Sequence, residues 1–151
     1  MGFSTREWEL LKGNDGDLTC PSVQRPIRQM AMRGQILSAF LAPPCGSFSL
    51  INRSVRRSKD DPWGLLLQES DKSRASVNLG NGCMKSAIRI IGWLEKNHVP
   101  WILEHPMTSR AWFLPFFHNF TSEASHCSTR FRSMSVWNKL EKEYSTHMFE
   151  D

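Results

Sequence analysis

Ile36-Leu37-Ser38-Ala39-Phe40-Leu41-Ala42-Pro43-Pro44-Cys45-Gly46-Ser47-Phe48-Ser49 is an apolar run that breaks on two prolines and a cysteine. Its first six residues read as a buried strand, and the prolines force a sharp exit from it. Working outward, Trp101-Ile102-Leu103 forms a second apolar strand that leaves through Glu104-His105-Pro106. A helix is predicted before each strand. Residues 21–33 place Ile27, Met30 and Ala31 on one face, with Ser22 as a cap, Pro26 in the first turn and Gly34 as the stop. A second helix begins at Asn81 or Gly82 and carries the stripe Met84, Ala87, Ile88, Ile91 and Leu94 towards Lys96-Asn97. The order helix, strand, loop, helix, strand is that of parallel α/β units, so the expected class is α/β, with a mostly parallel sheet flanked by helices.

At 151 residues the chain suits one domain. Residues 1–20 read as an irregular N-terminal segment, 21–137 as a partial α/β domain and 138–151 as a charged C-terminal tail. The stretch 50–76 reads as a long charged loop containing Pro62-Trp63-Gly64, and loops of this length usually serve function. Thr108-Ser109 is expected to cap a short helix through Trp112, followed by an aromatic patch of Phe113, Leu114, Phe116 and Phe117.

Hydrophobic content of 40% and charge of 23% describe a globular chain. A net charge of +4 allows a polyanionic partner. No stretch approaches the roughly 18 consecutive apolar residues of a membrane span. The N-terminus carries no apolar signal core, so the expected location is intracellular, cytoplasmic or nuclear. The cysteines at 20, 45, 83 and 127 are scattered without a C-x-x-C pair, which predicts reduced thiols and no metal site.

In parallel α/β sheets ligands bind beyond the carboxyl ends of the strands, where Cys45 and Glu104 both fall. A thiolate there can add to an electron-poor carbon if cations lower its pKa, and Arg53, Arg56 and Arg57 are nearby in sequence. Glu104, expected to be partly buried by Trp101 and Pro106, can hold or deliver a proton. Alternation in Cys127-Ser128-Thr129-Arg130-Phe131-Arg132 puts Arg130 and Arg132 on one strand face, suited to a carbonyl oxygen or a phosphate. The basic run of Arg53, Arg56, Arg57 and Lys59 is the candidate contact to a nucleic-acid backbone. Each residue also has a purely structural alternative: Cys45 as a small core residue, Glu104 as a helix cap, the arginines as a solvated face.

Pro43-Pro44-Cys45 with Ser47-Phe48-Ser49 resembles the nucleophile motif of DNA cytosine-5 methyltransferases. Glu104-His105-Pro106 is similar to the Glu-Asn-Val or Glu-Asn-Pro motif of that family, and Arg130-Phe131-Arg132 resembles its later Arg-x-Arg element. Pro62-Trp63-Gly64 and Gly80-Asn81 resemble segments found between the two motifs in divergent members. The resemblance spans roughly residues 34–137. It implies a Rossmann-like methyltransferase fold and a DNA partner. Cys45 would attack C6 of a flipped cytosine while Glu104 engages N3. Pro44 and Ser49 would line the base site, Arg130 or Arg132 would hold O2, and S-adenosylmethionine would supply the methyl group.

The pattern also departs from that family. Ala42 stands where a glycine is usual, Gly46 where glutamine is frequent and His105 where asparagine is usual. No Phe-x-Gly-x-Gly cofactor loop precedes residue 36, and no target-recognition domain follows residue 137. The expectation is therefore a truncated or degenerate domain that does not bind S-adenosylmethionine by itself. Two alternatives compete with it: a non-catalytic nucleic-acid-binding module, and an incomplete chain with an uncovered sheet edge.

Overall fold

The computed structural model describes residues 4–9, 13–52, 55, 57–64 and 70–117. Helix α1 (Pro21–Met32) and strand β1 (Ala39–Leu41) are followed by helix α2 (Asp71–Lys96) and strand β2 (Trp101–Leu103). The two strands pair in parallel, with Ala39 opposite Trp101, Phe40 opposite Ile102 and Leu41 opposite Leu103. Parallel neighbours need a long crossover, and α2 lies within it. The class is thus mixed α/β.

Helix α1 opens with Pro21 at its first position, where a missing N–H costs nothing. Cys20, not Ser22, is the N-cap, and it offers no side-chain cap bond. Pro26 lies inside the helix, beyond the first turn. The helix ends as its glycine predicts. Gly34 adopts a positive φ of 65°, and the Gly34 and Gln35 amides bond back to the Ala31 and Met30 carbonyls.

Helix α2 begins ten residues before Asn81. Ser70 caps it, accepting from the Ser73 amide at 3.1 Å, while the Ser73 hydroxyl takes the Ser70 amide. Asp71 in the first turn suits the positive end of the helix. At the other end His98 takes a left-handed φ of 57°, and the His98 and Val99 amides close onto Glu95 and Leu94. A residue with a Cβ is strained there, which the buried Leu94–Val99 pair offsets.

The core gathers Ile27 and Ala31 of α1, Met84, Ile88, Ile91 and Leu94 of α2, Leu41, Trp101 and Leu103 of the strands, and Leu114, Phe116 and Phe117 beyond them. A polar bridge also joins the helices. Buried Gln24 donates to the Leu18 carbonyl and to Ser86 Oγ, and accepts from Arg89. The strands bury one face only. Phe40 points the other way and is 68% exposed, beside half-buried Ile102. Strand β1 is also shorter than its apolar run, since Ile36-Leu37-Ser38 lead into it without pairing.

Among the described residues no helix is long and apolar enough to cross a membrane. No group of three or more His, Cys, Asp or Glu side chains among them is placed to hold a metal ion.

Candidate functional site

The strand register decides where the two motifs go. Leu41 and Leu103 end side by side, and the Glu104 amide donates to the Leu41 carbonyl at 2.8 Å. The chain that reaches Cys45 and the chain that carries Glu104 therefore leave the sheet at the same edge. Both residues are exposed. Neither the thiol nor the Glu104 carboxylate is committed to a hydrogen bond or ion pair among the described residues. Exposure corrects the expectation that Trp101 and Pro106 partly bury Glu104. Its place as a helix cap is also taken, because Ser109 caps the 3₁₀ turn Arg110–Phe113 by accepting from the Ala111 amide.

Cys45 caps a 3₁₀ turn, Gly46–Phe48, whose carbonyls are pinned in succession. The Phe48 amide donates to the Cys45 carbonyl at 2.9 Å, and Asn52 Nδ2 to that of Gly46 at 3.1 Å. Arg57 Nε donates to the Ser47 carbonyl at 2.8 Å. Fixing three consecutive peptide groups leaves the cysteine little backbone freedom. Ser49, half-buried, turns its hydroxyl to the Ile51 amide, and Pro44 is exposed.

Arg57 is the hub beneath this turn. It is 8% exposed, and all five of its N–H donors find acceptors. Beyond the Ser47 carbonyl, Nη1 donates to the Pro62 carbonyl at 2.9 Å and to Asn81 Oδ1 at 2.8 Å. Nη2 reaches Ser47 Oγ at 2.9 Å and the Val77 carbonyl at 3.5 Å. Its guanidinium carbon lies 3.7 Å from the Phe48 ring centre. Burial lowers its pKa to about 10, with Asp61 acting the other way, so the group is still charged at neutral pH. This corrects the reading of Arg57 as a backbone-phosphate contact, since no N–H is left to offer. A buried cation persists here because every donor is satisfied.

The same hub explains two segments noticed in the sequence. Asn81 Nδ2 donates to the Trp63 carbonyl at 2.9 Å, which ties Pro62-Trp63-Gly64 to the middle of α2. Gly80, one residue before, faces Ser47. A Cβ at position 80 would lie 2.0 Å from Ser47 Oγ and 3.2 Å from Ser47 Cβ. Gly80 and Asn81 thus serve as the seat of the cysteine turn, well inside a helix, where the sequence had pointed to a helix start.

His105 is the residue the sequence reading undervalued. It is 2% exposed, and neither ring nitrogen has a hydrogen-bond partner. It stands edge-on to Phe48, with ring centroids 5.7 Å apart, and to Trp112 at 6.0 Å. Trp112 in turn donates from Nε1 to the Pro106 carbonyl at 2.8 Å. Burial in this aromatic setting lowers the His105 pKa to about 4, so the ring is neutral at physiological pH. The stack Arg57–Phe48–His105–Trp112 joins the cysteine turn to the Glu104 turn through their buried sides. The sequence signal for it was faint: an aromatic three residues after the cysteine and a histidine one residue after the glutamate.

Of the other predicted site residues, Lys59 is exposed, with its ammonium 5.2 Å from the Phe113 ring centre. Arg53, Arg56, Arg130 and Arg132 lie outside the described residues, as does the tail 138–151. Comparison of the chain with protein-family models, with curated proteins and with solved structures finds no match.

Proposed function

We propose that this chain is a degenerate DNA cytosine-5 methyltransferase-like domain, an incomplete Rossmann-like unit that keeps the base-handling part of that chemistry. The observation that carries the reading is the contact of Phe48 with His105, which joins two turns leaving adjacent parallel strands at one edge. On that edge an accessible thiol and an accessible carboxyl group are both free to meet a ring.

The step within reach of these residues is reversible addition to an extruded cytosine, whose flipping costs a few kcal/mol. The Cys45 thiolate forms a bond to C6 while the Glu104 carboxyl group hydrogen-bonds N3 or relays a proton from water to it. The C5–C6 double-bond electron pair then makes C5 nucleophilic. C5 takes a proton from water, and loss of a C5 proton with expulsion of the thiolate restores the base. On this reading Arg130 or Arg132 would steady O2, and Pro44 and Ser49 would border the base.

S-adenosylmethionine fits none of the described residues. The exit of β1 is filled by the pinned cysteine turn, and that of β2 by Glu104-His105-Pro106. Neither exit has the glycine-rich strand-to-helix turn that such a cofactor needs. No step proposed here passes through it.

The reading is tested with an oligonucleotide containing 2-pyrimidinone, whose C6 accepts thiolates readily. A denaturant-stable adduct mapped to Cys45 by mass spectrometry, and absent in Cys45→Ser, is expected. Adduct formation that persists in Cys45→Ser, or none in the wild type, would contradict it. A non-catalytic nucleic-acid module would bind the same oligonucleotide equally in both proteins and form no adduct.

A further inference from the structure

The loops that leave the two strand ends meet a second time, at the surface. Lys59, in the loop after Cys45, and Arg110, in the turn after Glu104, both approach the half-buried ring of Phe113, with the two cationic groups 5.2 and 5.9 Å from its centre. Neither cation has a carboxylate partner among the described residues. The acidic side chains near Lys59 in sequence are Asp60 and Asp61, and Asp61 acts on the buried Arg57. A ring flanked by cations is the combination that contacts single-stranded nucleic acid, the cations on phosphate and the ring on a base face.

We propose that Lys59, Phe113 and Arg110 form a contact site for a single-stranded nucleic-acid segment, next to the Cys45–Glu104 edge. Lys59 and Arg110 neutralise adjacent phosphates and Phe113 stacks on an unpaired base. The site rests on the proposed function only in its location, since it would hold the strand that flanks an extruded cytosine. The sequence placed Phe113 in an aromatic patch and assigned Arg110 no role.

The test is fluorescence anisotropy of a labelled single-stranded deoxyoligonucleotide, and of the same sequence as a duplex, titrated at several salt concentrations. Each phosphate contact adds about 0.7 to the slope of log K against log salt for a single strand. The double variant K59Q/R110Q should therefore lower the slope by about 1.4. The variant R25Q/R28Q removes the same charge from the exposed side of α1 and should leave the slope as in the wild type. Phe113→Leu should weaken single-strand binding about tenfold at unchanged slope. Cys45→Ser should bind like the wild type, so a failure here is separable from a failure of adduct formation. Equal slopes for K59Q/R110Q and the wild type, an equal fall in R25Q/R28Q, or single-strand binding indifferent to Phe113→Leu would overturn the proposal. Near-UV dichroism of each variant confirms that the fold is intact.

Discussion

Gly80→Ala should destabilise the chain, and the same substitution should stabilise it once Ser47 is glycine. Alanine in a helix interior is favoured over glycine by about 1 kcal/mol, so a neutral environment predicts a gain. At position 80 the added methyl would lie 2.0 Å from Ser47 Oγ, which is not a permissible contact. The hydroxyl can escape only by abandoning Arg57 Nη2, which it meets at 2.9 Å. A hydrogen bond to a charged group contributes about 1.5–3 kcal/mol, and residual overlap at Ser47 Cβ adds roughly 1 kcal/mol of overpacking. Against the propensity gain, the net loss is about 2 kcal/mol. In Ser47→Gly both obstructing atoms are gone, and the next neighbour is Arg57 Nη2 at 3.5 Å, an ordinary contact. There Gly80→Ala should gain about 1 kcal/mol, a coupling of about 3 kcal/mol between the two sites. Urea midpoints for the four proteins of the cycle, at constant m, measure it. A midpoint that rises for Gly80→Ala in both backgrounds would refute the packing of the cysteine turn on α2.

Three further outcomes follow from the same geometry. Burial holds the folded His105 pKa at about 4 against 6.5 unfolded, so the unfolded chain binds more protons between those values. Its contribution is complete above pH 6.5 and is lost as pH falls towards 4, on the order of 3 kcal/mol, and His105→Leu should flatten that part of a chemical-denaturation series against pH. Arg57→Lys replaces five planar donors by three and should cost about 3 kcal/mol by the same assay, with Ser47, Pro62 and Asn81 losing partners. His98→Gly relieves a left-handed residue at the end of α2 and should raise stability by up to about 1 kcal/mol, read as a thermal midpoint higher by a few degrees.

Local signals carried much of the architecture. The Ile27–Ala31 face and the Gly34 stop delimit α1 because both depend on neighbours within one helical turn. Trp101-Ile102-Leu103 is a strand as its apolar triplet suggests. The start of α2 was not legible, because its capping box uses Ser73 where Glu or Gln is the usual signal. Gly80-Asn81-Gly82 imitates a helix start instead. Arg57 was misplaced for a related reason. A cation in a charged stretch reads as solvated, and the acceptors that bury it come from residues 47, 62, 77 and 81, separations that no local pattern encodes. The common edge of Cys45 and Glu104 was legible from strand polarity alone, whereas the ring contact that joins their turns required the register.

In the proposed function the thiol of Cys45 reaches C6 of a cytosine while Glu104 engages N3. Release of tritium to water from DNA labelled at cytosine C5 reads that addition directly, with no methyl donor present. Slow release is expected from the wild type, none from Cys45→Ser, and strongly reduced release from Glu104→Gln. Release at the wild-type rate by Cys45→Ser, or none by a wild type that binds the DNA, would contradict it.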